Sequence, residues 1–335
     1  MILTRTPFRL PLGGGSTDLP AYYEKHGGFI FAASINLYMY VGLNRPPVDD
    51  LIRLKYRDSE EVEKLDDLKH KVAKAALRRT GIDKMIEISS KADVSDGTGM
   101  GSSASYTVGL LNPLHTLNGE NISRRHLAEE AFDIAPSDAG LPDGKQDFYL
   151  ASFGNFCVLD IAPSGAVTVS NANISRDIQR DFERKALLFY TGTRRPSEDI
   201  LREQQNNIRE NQQQASELKH QTKRIGQNIL NVFESGRLDE FGSLMDEHWG
   251  LKRKMSANMS NSLFDQIYEE SKKRGALGGK IVGAGGGGFF LIYCREGAQE
   301  AVRRLFAEHK MREIHFSVDS AGTQVLVNKP RTHTI

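Results

Sequence analysis

The sequence has few of the features that mark secreted, membrane or nucleic-acid-binding proteins. Its 335 residues include two cysteines, Cys157 and Cys294, which lie far apart in apolar segments and predict buried, reduced thiols. The 44 basic and 43 acidic residues almost balance, and no long basic block favours nucleic acid. The most apolar run, 29–43, is short for a membrane span, and the first residues lack the apolar core of a secretory signal. These absences predict a soluble, cytoplasmic protein without a nucleic-acid or membrane partner.

Strand-like and helix-like segments alternate in the first half of the chain, whereas long helical segments dominate the second half. The predicted strands of the first half cover 2–9, 28–43, 52–56, 85–89, 154–161 and 166–171, and its predicted helices cover 62–80, 102–117 and 123–134. Beyond it the pattern predicts a strand at 186–190, helices at 197–216, 217–234, 239–255 and 262–274, and a strand–strand–helix–strand–strand series at 279–282, 288–294, 298–310, 313–318 and 323–327. A charged segment at 172–185 is interpreted as a domain boundary. The predicted fold class is therefore α+β, with one domain over 1–175, a second over 184–335 and a cleft between them.

The most informative segment is a glycine-rich loop that leads directly into the predicted helix at 102–117. Gly97, Gly99 and Gly101 can adopt backbone angles that turn N–H groups toward an anion, and the helix adds unpaired N–H groups and its positive dipole end. No lysine follows as in a Walker loop, so this is either a different phosphate-binding loop or an ordinary loop with a serine cap. The candidate phosphate-binding residues are Gly97, Thr98, Gly99, Met100, Gly101, Ser102, Ser103 and Ala104.

A second glycine segment, 283–288, satisfies the G-x-G-x-x-G pattern. A strand-like run follows it, whereas the dinucleotide fingerprint requires a helix, so a Rossmann fold is excluded. Its glycines, including Gly285 and Gly286, would instead let a ligand or another loop approach the backbone closely. A flexible hairpin is the alternative interpretation.

A third glycine turn, 13–15, follows the first predicted strand and precedes Ser16 and Asp18. A carboxylate can accept hydrogen bonds from two sugar hydroxyls, which makes Asp18 a candidate polyol ligand. Capping of the next helix is the competing explanation for this residue. Arg9 is the nearest cation in the sequence and could reach a phosphate.

Together, the three glycine segments resemble the motifs of the GHMP small-molecule kinases, a family that includes galactokinase, homoserine kinase and mevalonate kinase. Within the family the sequence is most similar to sugar 1-kinases of the D-glycero-D-manno-heptose 7-phosphate kinase type. The resemblance implies an N-terminal domain like ribosomal protein S5 domain 2 and a ferredoxin-like C-terminal domain, with ATP and a sugar between them. The segments that carry it are 6–18, 97–104 and 278–289 for the family and 11–18, 144–149 and 190–197 for the sugar kinases.

The same resemblance implies ATP and Mg²⁺ as cofactors and roles for individual residues. Asp147 would be the catalytic aspartate facing the attacking sugar hydroxyl, as general base or orienting group, and Ser103 would lie near Mg²⁺ and the phosphates. Arg9 is the second candidate catalytic residue, as a cation for the transferred phosphate. The candidate substrate-binding residues are Gly14, Gly15, Ser16, Asp18, Lys145, Arg195, Gly285 and Gly286, with Arg194, Arg195 or Lys145 as anchors for a phosphate on the sugar.

The sequence departs from the family pattern in two places. Residues 94–96 contain no proline where the second motif usually opens with one. Ala135 stands where a metal-binding glutamate usually precedes the catalytic aspartate. Glu130, Asp133 or Asp138 could replace that glutamate as a Mg²⁺ ligand.

The expected function is an ATP-dependent kinase acting on O1 of D-glycero-D-manno-heptose 7-phosphate, which gives the 1,7-bisphosphate for nucleotide-activated heptose synthesis. The alternatives are a kinase for another sugar, such as L-fucose or galactose, and a non-catalytic relative that binds nucleotide or sugar as a sensor. The expected partners are ATP and a small sugar phosphate, and a homodimer is compatible with the sequence. His248 and Trp249, adjacent in a predicted helix, are interpreted as packing residues.

Overall fold

Two mixed layers of helices and sheet make up the fold, which a computed structural model describes for residues 1–139, 144–194, 212–283 and 285–329. The strands are β1 Ile2–Gly13, β2 Gly28–Asn44, β3 Ile52–Lys55, β4 Ser59–Val62, β5 Ile86–Ala92, β6 Phe156–Ile161, β7 Val167–Asn171, β8 Ala186–Tyr190, β9 Ala276–Ile281, β10 Phe289–Cys294, β11 Arg312–Glu313 and β12 Gln324–Asn328. The helices are α1 Pro20–His26, α2 Lys71–Arg79, α3 Ser102–Leu117, α4 Arg124–Ala139, α5 Gln146–Phe153, α6 Arg176–Lys185, α7 Gln212–Ser235, α8 Asp239–Met255, α9 Ser262–Lys273 and α10 Gln299–Glu308.

The first sheet is built around the long antiparallel pair β1 and β2. Its order is β12-β1-β2-β5-β3-β4, and β6 and β7 extend it from the other half of β2. Helix α3 is apolar on nearly all sides and packs on this sheet, where the missing side chain of Gly109 permits close approach. The Thr4 hydroxyl donates to the Gly109 carbonyl at 2.7 Å. At the N-terminal end of α3, the backbone N–H of Arg9 donates to the Met100 carbonyl at 3.3 Å, which fixes the glycine loop beside β1.

The second sheet has four strands in the order β11-β8-β10-β9. It has its own apolar core against α8, α9 and α10, in which Phe189 and Phe306 stack with ring centroids 4.0 Å apart. Trp249 is fully buried in this core beside Phe290. Strands β9 and β10 therefore hold the glycine segment between them at the edge that faces the first sheet.

Helix α7 joins the two layers, because it belongs to the second half of the chain but packs on the first sheet. Phe233 of α7 lies with its ring centroid 5.2 Å from that of Phe31 in β2 and 5.2 Å from that of Phe182 in α6. Gly226 approaches Gly13 so closely that a Cβ at Gly13 would lie 2.6 Å from the Cα of Gly226. The main hydrophobic core is consequently continuous across the segment that was interpreted as a domain boundary.

Most predicted elements of the first half are confirmed, but the prediction of one helix over 62–80 is wrong. Strand β4 occupies its beginning, and a short 3-10 turn at Leu65–Asp67 precedes α2. Glu60 explains the interruption, because its carboxylate accepts the backbone N–H groups of Lys69 and His70 at 2.6 and 3.2 Å. The helix predicted to stop before Pro136 instead continues to Ala139, because packing of α4 on α2, α3 and α5 outweighs the one lost hydrogen bond.

The segment at 172–185 is an ordered element rather than a linker. Ser175 caps α6 by accepting the N–H of Ile178 at 3.3 Å, and Phe182 is buried in the main core. Strand β12, assigned by sequence to the second domain, pairs with β1 in the first sheet. The predicted strand at 313–318 is reduced to β11 and a single bridge between Val318 and Ile35.

Helices α3 and α8 have the predicted bounds, and most of the helix predicted at 197–216 lies outside the described residues. None of the helices within the described ranges is both long enough and apolar enough to cross a membrane.

Candidate active site

A cavity lies between the two layers, where the end of β1, the glycine loop, α5, α8 and the end of β9 meet. The structure brings many of the predicted site residues to its wall although they are far apart in the sequence. Those that line it are Arg9, Gly15, Ser16, Asp18, Gly97, Gly99, Gly101, Ser102, Ser103, Ala104 and Asp147.

Arg9 and Asp147 form a bidentate ion pair in the middle of this wall. The Nε of Arg9 lies 2.6 Å from Oδ1 of Asp147, and its Nη2 lies 2.8 Å from Oδ2. The remaining guanidinium nitrogen, Nη1, donates to the Gly99 carbonyl at 2.5 Å. Asp147 is in the first turn of α5 and its side chain is 23% exposed, so it stays accessible to a ligand. Arg9 thus fixes the orientation of this carboxylate and connects it to the glycine loop.

The glycine loop has the geometry that a phosphate-binding loop requires. Gly97, Gly99 and Gly101 adopt φ values of 68°, 76° and 78°, the left-handed region that glycine alone adopts without strain. A Cβ at Gly101 would lie 2.9 Å from Oδ2 of Asp147, and one at Gly99 would lie 2.6 Å from the Val282 carbonyl oxygen. The first turn of α3 opens into the cavity with N–H groups that have no partner within the helix. Both the backbone angle and the available space therefore exclude larger residues here.

Two residues of the predicted ATP-binding loop point away from the cavity. Thr98 is buried, and its hydroxyl donates to the Ser95 carbonyl at 2.8 Å. Met100 is fully buried in the main core. Both act as supports for the loop in this structure.

Asp18 also lines the cavity and is 1% exposed. Its Oδ2 accepts the backbone N–H of Gln146 at 2.9 Å, and a Cβ at Gly144 would lie 2.1 Å from the same atom. Burial raises the pKa of Asp18, and the nearby Asp147 raises it further. The alternative role as a helix cap is wrong, because α1 starts after Leu19 with no side-chain cap. Its contacts with the described part of the chain leave acceptor positions on the carboxylate for ligand donors.

Lys219 of α7 approaches the turn that precedes Asp18. Its ammonium donates to the Ser16 carbonyl at 2.8 Å, and burial lowers its pKa to about 8. Ser16 has a φ of 68°, a strained conformation for a serine, which this contact helps to hold. The positive charge of Lys219 opposes the rise in the pKa of Asp18. Sequence patterns gave no signal for this residue, because it follows 200 residues later in a polar helix.

Several other predicted substrate-binding residues lie outside the cavity wall. The ammonium of Lys145 lies 4.3 Å from the ring centroid of Phe132 and 5.6 Å from that of Tyr23, and burial lowers its pKa. Gly14 is packed against Phe29. Arg194 donates from Nη2 to the Ser95 hydroxyl at 2.8 Å, which joins β8 to the start of the glycine loop.

Gly285 and Gly286 contact Met259 rather than the cavity. The N–H of Gly286 donates to the Met259 carbonyl at 2.9 Å, and among the described residues of this segment Gly283 lines the wall. Arg195 lies outside the described residues. The roles assigned to these side chains therefore stay predictions.

Three basic residues that sequence reasoning did not assign to the site line the cavity: His248 and Lys252 of α8 and Lys280 of β9. Trp249 is fully buried in the second core, as interpreted, and His248 is also buried but lines the cavity. His248 and Lys252 are four residues apart and so lie on one helix face. Lys280, a lysine inside an otherwise apolar strand, is the signal in the sequence that could have indicated this cluster.

The candidate Mg²⁺ ligands do not form a preassembled metal site in the described part of the chain. Glu130 is buried and engaged by His115, whose Nε2 lies 2.6 Å from its Oε2. Within the described part of the chain, no group of three or more histidine, cysteine, aspartate or glutamate side chains could hold a metal ion. Both oxygens of Asp147 face Arg9. Asp133 is exposed, and the side chain of Asp138 is not among those described.

Comparison with protein families identifies the chain. Residues 67–155 match the GHMP kinases N terminal domain, and residues 229–310 match the GHMP kinases C terminal domain. The chain belongs to the GHMP kinase family. It has the two-domain mixed helix and sheet fold of GHMP kinases, as predicted, and is a phosphotransferase with an alcohol group as acceptor. GHMP kinases use ATP as substrate.

Individual GHMP kinases resemble this one over most of its length. The D-glycero-alpha-D-manno-heptose 7-phosphate kinase of Campylobacter jejuni is 29% identical over 306 residues, covering 87% of this chain and 89% of that protein. The bifunctional fucokinase/GDP-fucose pyrophosphorylase of Arabidopsis thaliana is 23% identical and covers 93% of this chain but 32% of its own. A crystal structure of a D-glycero-D-manno-heptose 1-phosphate kinase from Bacteroides thetaiotaomicron superimposes with a TM-score of 0.82 at 22% identity, covering 98% of this chain and all of that one.

Proposed function

We propose that this GHMP kinase transfers the terminal phosphoryl group of ATP to O1 of D-glycero-D-manno-heptose 7-phosphate. The product is the 1,7-bisphosphate, a precursor for nucleotide-activated heptose. One observation supports a sugar kinase most strongly: the Asp147 carboxylate, held by Arg9, lies between a helix N-terminus suited to phosphates and the buried acceptor Asp18. The choice of a heptose 7-phosphate rests on the similarity to the Campylobacter jejuni enzyme.

In the proposed reaction, the first turn of α3 and the glycine loop hold the ATP phosphates through backbone N–H groups. Asp18 accepts hydrogen bonds from sugar hydroxyls and orients the ring. The O1 oxygen attacks the terminal phosphorus, the new O1–P bond forms, and the bond from that phosphorus to the bridging oxygen of ADP breaks. Asp147 orients the O1 hydroxyl or accepts its proton, a contribution worth about 10²–10⁴-fold in rate.

The N-terminus of α3 cannot by itself supply the rate acceleration that a kinase needs. A helix dipole contributes about 0.3–2 kcal/mol, whereas enzymes lower barriers by about 8 kcal/mol or more. Cations in the site must therefore stabilise the transferred phosphoryl group. Because the described residues do not form a Mg²⁺ site of their own, the proposal assigns no step to a metal held by the protein.

Turnover of a sugar panel tests the proposal. The purified protein, incubated with ATP and Mg²⁺, should release ADP with D-glycero-D-manno-heptose 7-phosphate and much more slowly with the free heptose. Faster turnover of L-fucose or galactose would favour the second candidate, which the similarity to the Arabidopsis thaliana fucokinase supports. Tight ATP binding without turnover of any sugar would instead support a nucleotide sensor.

The cytoplasm, predicted from the two cysteines, is the proposed location, and both cysteines are free and buried.

A further inference from the structure

Lys252 and Lys280 place two ammonium groups inside the cavity wall, on the side formed by the second sheet. Lys252, in the last turn of α8, donates to the Ile281 carbonyl at 2.9 Å and also to the Gly283 carbonyl. Lys280 is 2% exposed and donates to the Leu12 carbonyl at 2.9 Å. Its Nζ lies 3.1 Å from Nδ1 of His248. Each ammonium group has three N–H donors, and its contacts with the described residues leave one of them for a ligand.

Neither lysine forms an ion pair with a carboxylate among the described residues. The charged and titratable groups near them are His248 and Arg9, and Arg9 is itself paired with Asp147. Burial, with a smaller contribution from the charge of Arg9, lowers the pKa of Lys252 to about 7. Burial also lowers the pKa of Lys280 well below its usual value, with smaller effects from Lys252 and Arg9. Such a cluster is costly until an anion enters it.

The position of Lys252 indicates which anion enters. Its acceptor Gly283 packs directly on Gly99 of the glycine loop, where a Cβ at Gly283 would lie 2.5 Å from the Cα of Gly99. The Gly99 carbonyl in turn accepts Nη1 of Arg9, the partner of Asp147. Lys252 thus stands where the phosphate loop meets the carboxylate proposed to face the sugar hydroxyl.

We propose that Lys252 is a catalytic residue that contacts the phosphoryl group being transferred, with Lys280 adding positive charge behind it. The assignment deepens the proposed kinase function and rests on it. Lys252 approaches the phosphoryl group from the second sheet, while the N-terminus of α3 approaches it from the first. The groups that stabilise the transfer would then come from both layers and meet in the cavity between them.

Nucleotide binding to the full-length protein separates this role from a structural one. Lys252→Gln should weaken binding of the non-hydrolysable β,γ-imido analogue of ATP by about tenfold or more, since a hydrogen bond to a charged group is lost. Binding of ADP, which lacks the terminal phosphate, should change by less than about threefold, and Lys252→Arg should restore most of the loss for the ATP analogue. Lys254→Gln is the matched control, because Lys254 is exposed in the same helical turn and should leave both affinities unchanged.

Equal loss of both nucleotides in Lys252→Gln would overturn the proposal and show that the lysine only supports the loop at Gly283. Unchanged binding of both would overturn it as well. If either of these results is obtained while the wild-type protein still binds ATP and phosphorylates a sugar, the proposed kinase function remains intact. Failure of the wild type to bind any nucleotide would instead remove the kinase function and this proposal together.

A second measurement does not depend on whether the Lys252→Gln variant folds. At about pH 8, where the pKa of Lys252 leaves it largely uncharged, binding of the ATP analogue should take up more protons than binding of ADP. Calorimetry in two buffers of different ionisation enthalpy reports this difference, and Lys252→Arg should abolish it. The same proton uptake for both nucleotides, or an unchanged difference in Lys252→Arg, would contradict contact with the terminal phosphate.

Discussion

Asp18 is the residue whose surroundings most restrict what the cavity can bind. It is 1% exposed, and its carboxylate accepts the backbone N–H of Gln146 at 2.9 Å. A buried carboxylate with unused acceptor positions is destabilising unless donors from a ligand reach it. Sugar hydroxyls are neutral donors that can satisfy it without adding charge.

The first prediction concerns this carboxylate. Asp18→Asn should raise KM for the sugar about tenfold or more with little change in KM for ATP, because one acceptor is replaced by a donor. Since burial raises the pKa of Asp18, KM for the sugar in the wild type should increase as pH falls and Asp18 becomes protonated. Steady-state kinetics across pH measure both effects, with exposed Asp160→Asn as control. Equal increases in both KM values would contradict a role in sugar recognition.

The residues of the candidate site were predictable from the sequence only where they lie in or beside a recognisable motif. Arg9, Asp18 and Asp147 lie in or beside recognisable segments, and the structure brings all three to one cavity. Lys219, Lys252 and Lys280 were missed because none belongs to a recognisable motif. Lys219 and Lys252 lie in helices with several other basic residues, and Lys280 is a lone lysine in an apolar strand. Their proximity arises from packing between distant parts of the chain, which no local pattern encodes.

At the scale of elements, the glycine loop and the β9–β10 segment form a contact between the two layers. Gly99 and Gly283 meet backbone to backbone, and each requires a positive φ as well as the absence of a side chain. The contact holds the phosphate loop against the segment that carries the Lys252 acceptors.

The second prediction separates these two requirements. Gly99→Ala should lower stability through its left-handed φ and also weaken ATP binding, because a Cβ would lie 2.6 Å from the Val282 carbonyl oxygen. Gly119→Ala has nearly the same φ, 75° against 76°, but no atom within 4 Å of the added Cβ. Gly119→Ala should lose about 1–2 kcal/mol of stability and Gly99→Ala at least as much, whereas only Gly99→Ala should lose nucleotide affinity. Equal ATP affinity in the two variants would refute the proposed importance of the contact.

The third prediction concerns the interface of α3 and α4, where His115 lies between Glu130 and Glu120. The hydrogen bond to Glu130 raises the pKa of His115 most, with a smaller increase from Glu120. A raised pKa in the folded state adds stability that is fully present below the unfolded pKa of about 6.5 and is lost as pH rises through the folded pKa. His115→Gln should therefore lower Tm by several degrees at about pH 6 and by less at about pH 9.

Thermal unfolding of His115→Gln and of the exposed control His309→Gln at both pH values measures this effect. The control should show no pH-dependent difference from the wild type. A larger loss at the higher pH would mean that the charged histidine does not stabilise the α3–α4 interface.

Element boundaries were predictable where the apolar pattern and the end signals agree, as in α3 and α8. They were wrong where charged side chains formed specific contacts. Glu60 interrupts the predicted helix at 62–80 by accepting N–H groups of the chain that follows. The charged segment at 172–185 was read as a boundary because its single buried aromatic residue, Phe182, gives a weak pattern.

For the whole molecule, the main consequence of the fold is that the site depends on both halves of the chain. Helix α7 packs on the first sheet, β12 completes that sheet from the C-terminal end, and β9 supplies Lys280 to the cavity. The division into one domain over 1–175 and a second over 184–335 stays a prediction. Residues from both ranges contribute to the main hydrophobic core. Sequence reasoning predicted the family and fold from three motifs, but not this sharing, since it depends on contacts between residues more than 200 positions apart.

The central claim is that this cavity transfers phosphate from ATP to O1 of a heptose 7-phosphate. Phosphorus NMR of the reaction product tests it most directly. The account predicts a new phosphate signal coupled to the anomeric proton, formed about 10²–10⁴-fold more slowly by Asp147→Asn. Phosphate on another hydroxyl, free inorganic phosphate without a sugar product, or an unchanged rate in Asp147→Asn would contradict it.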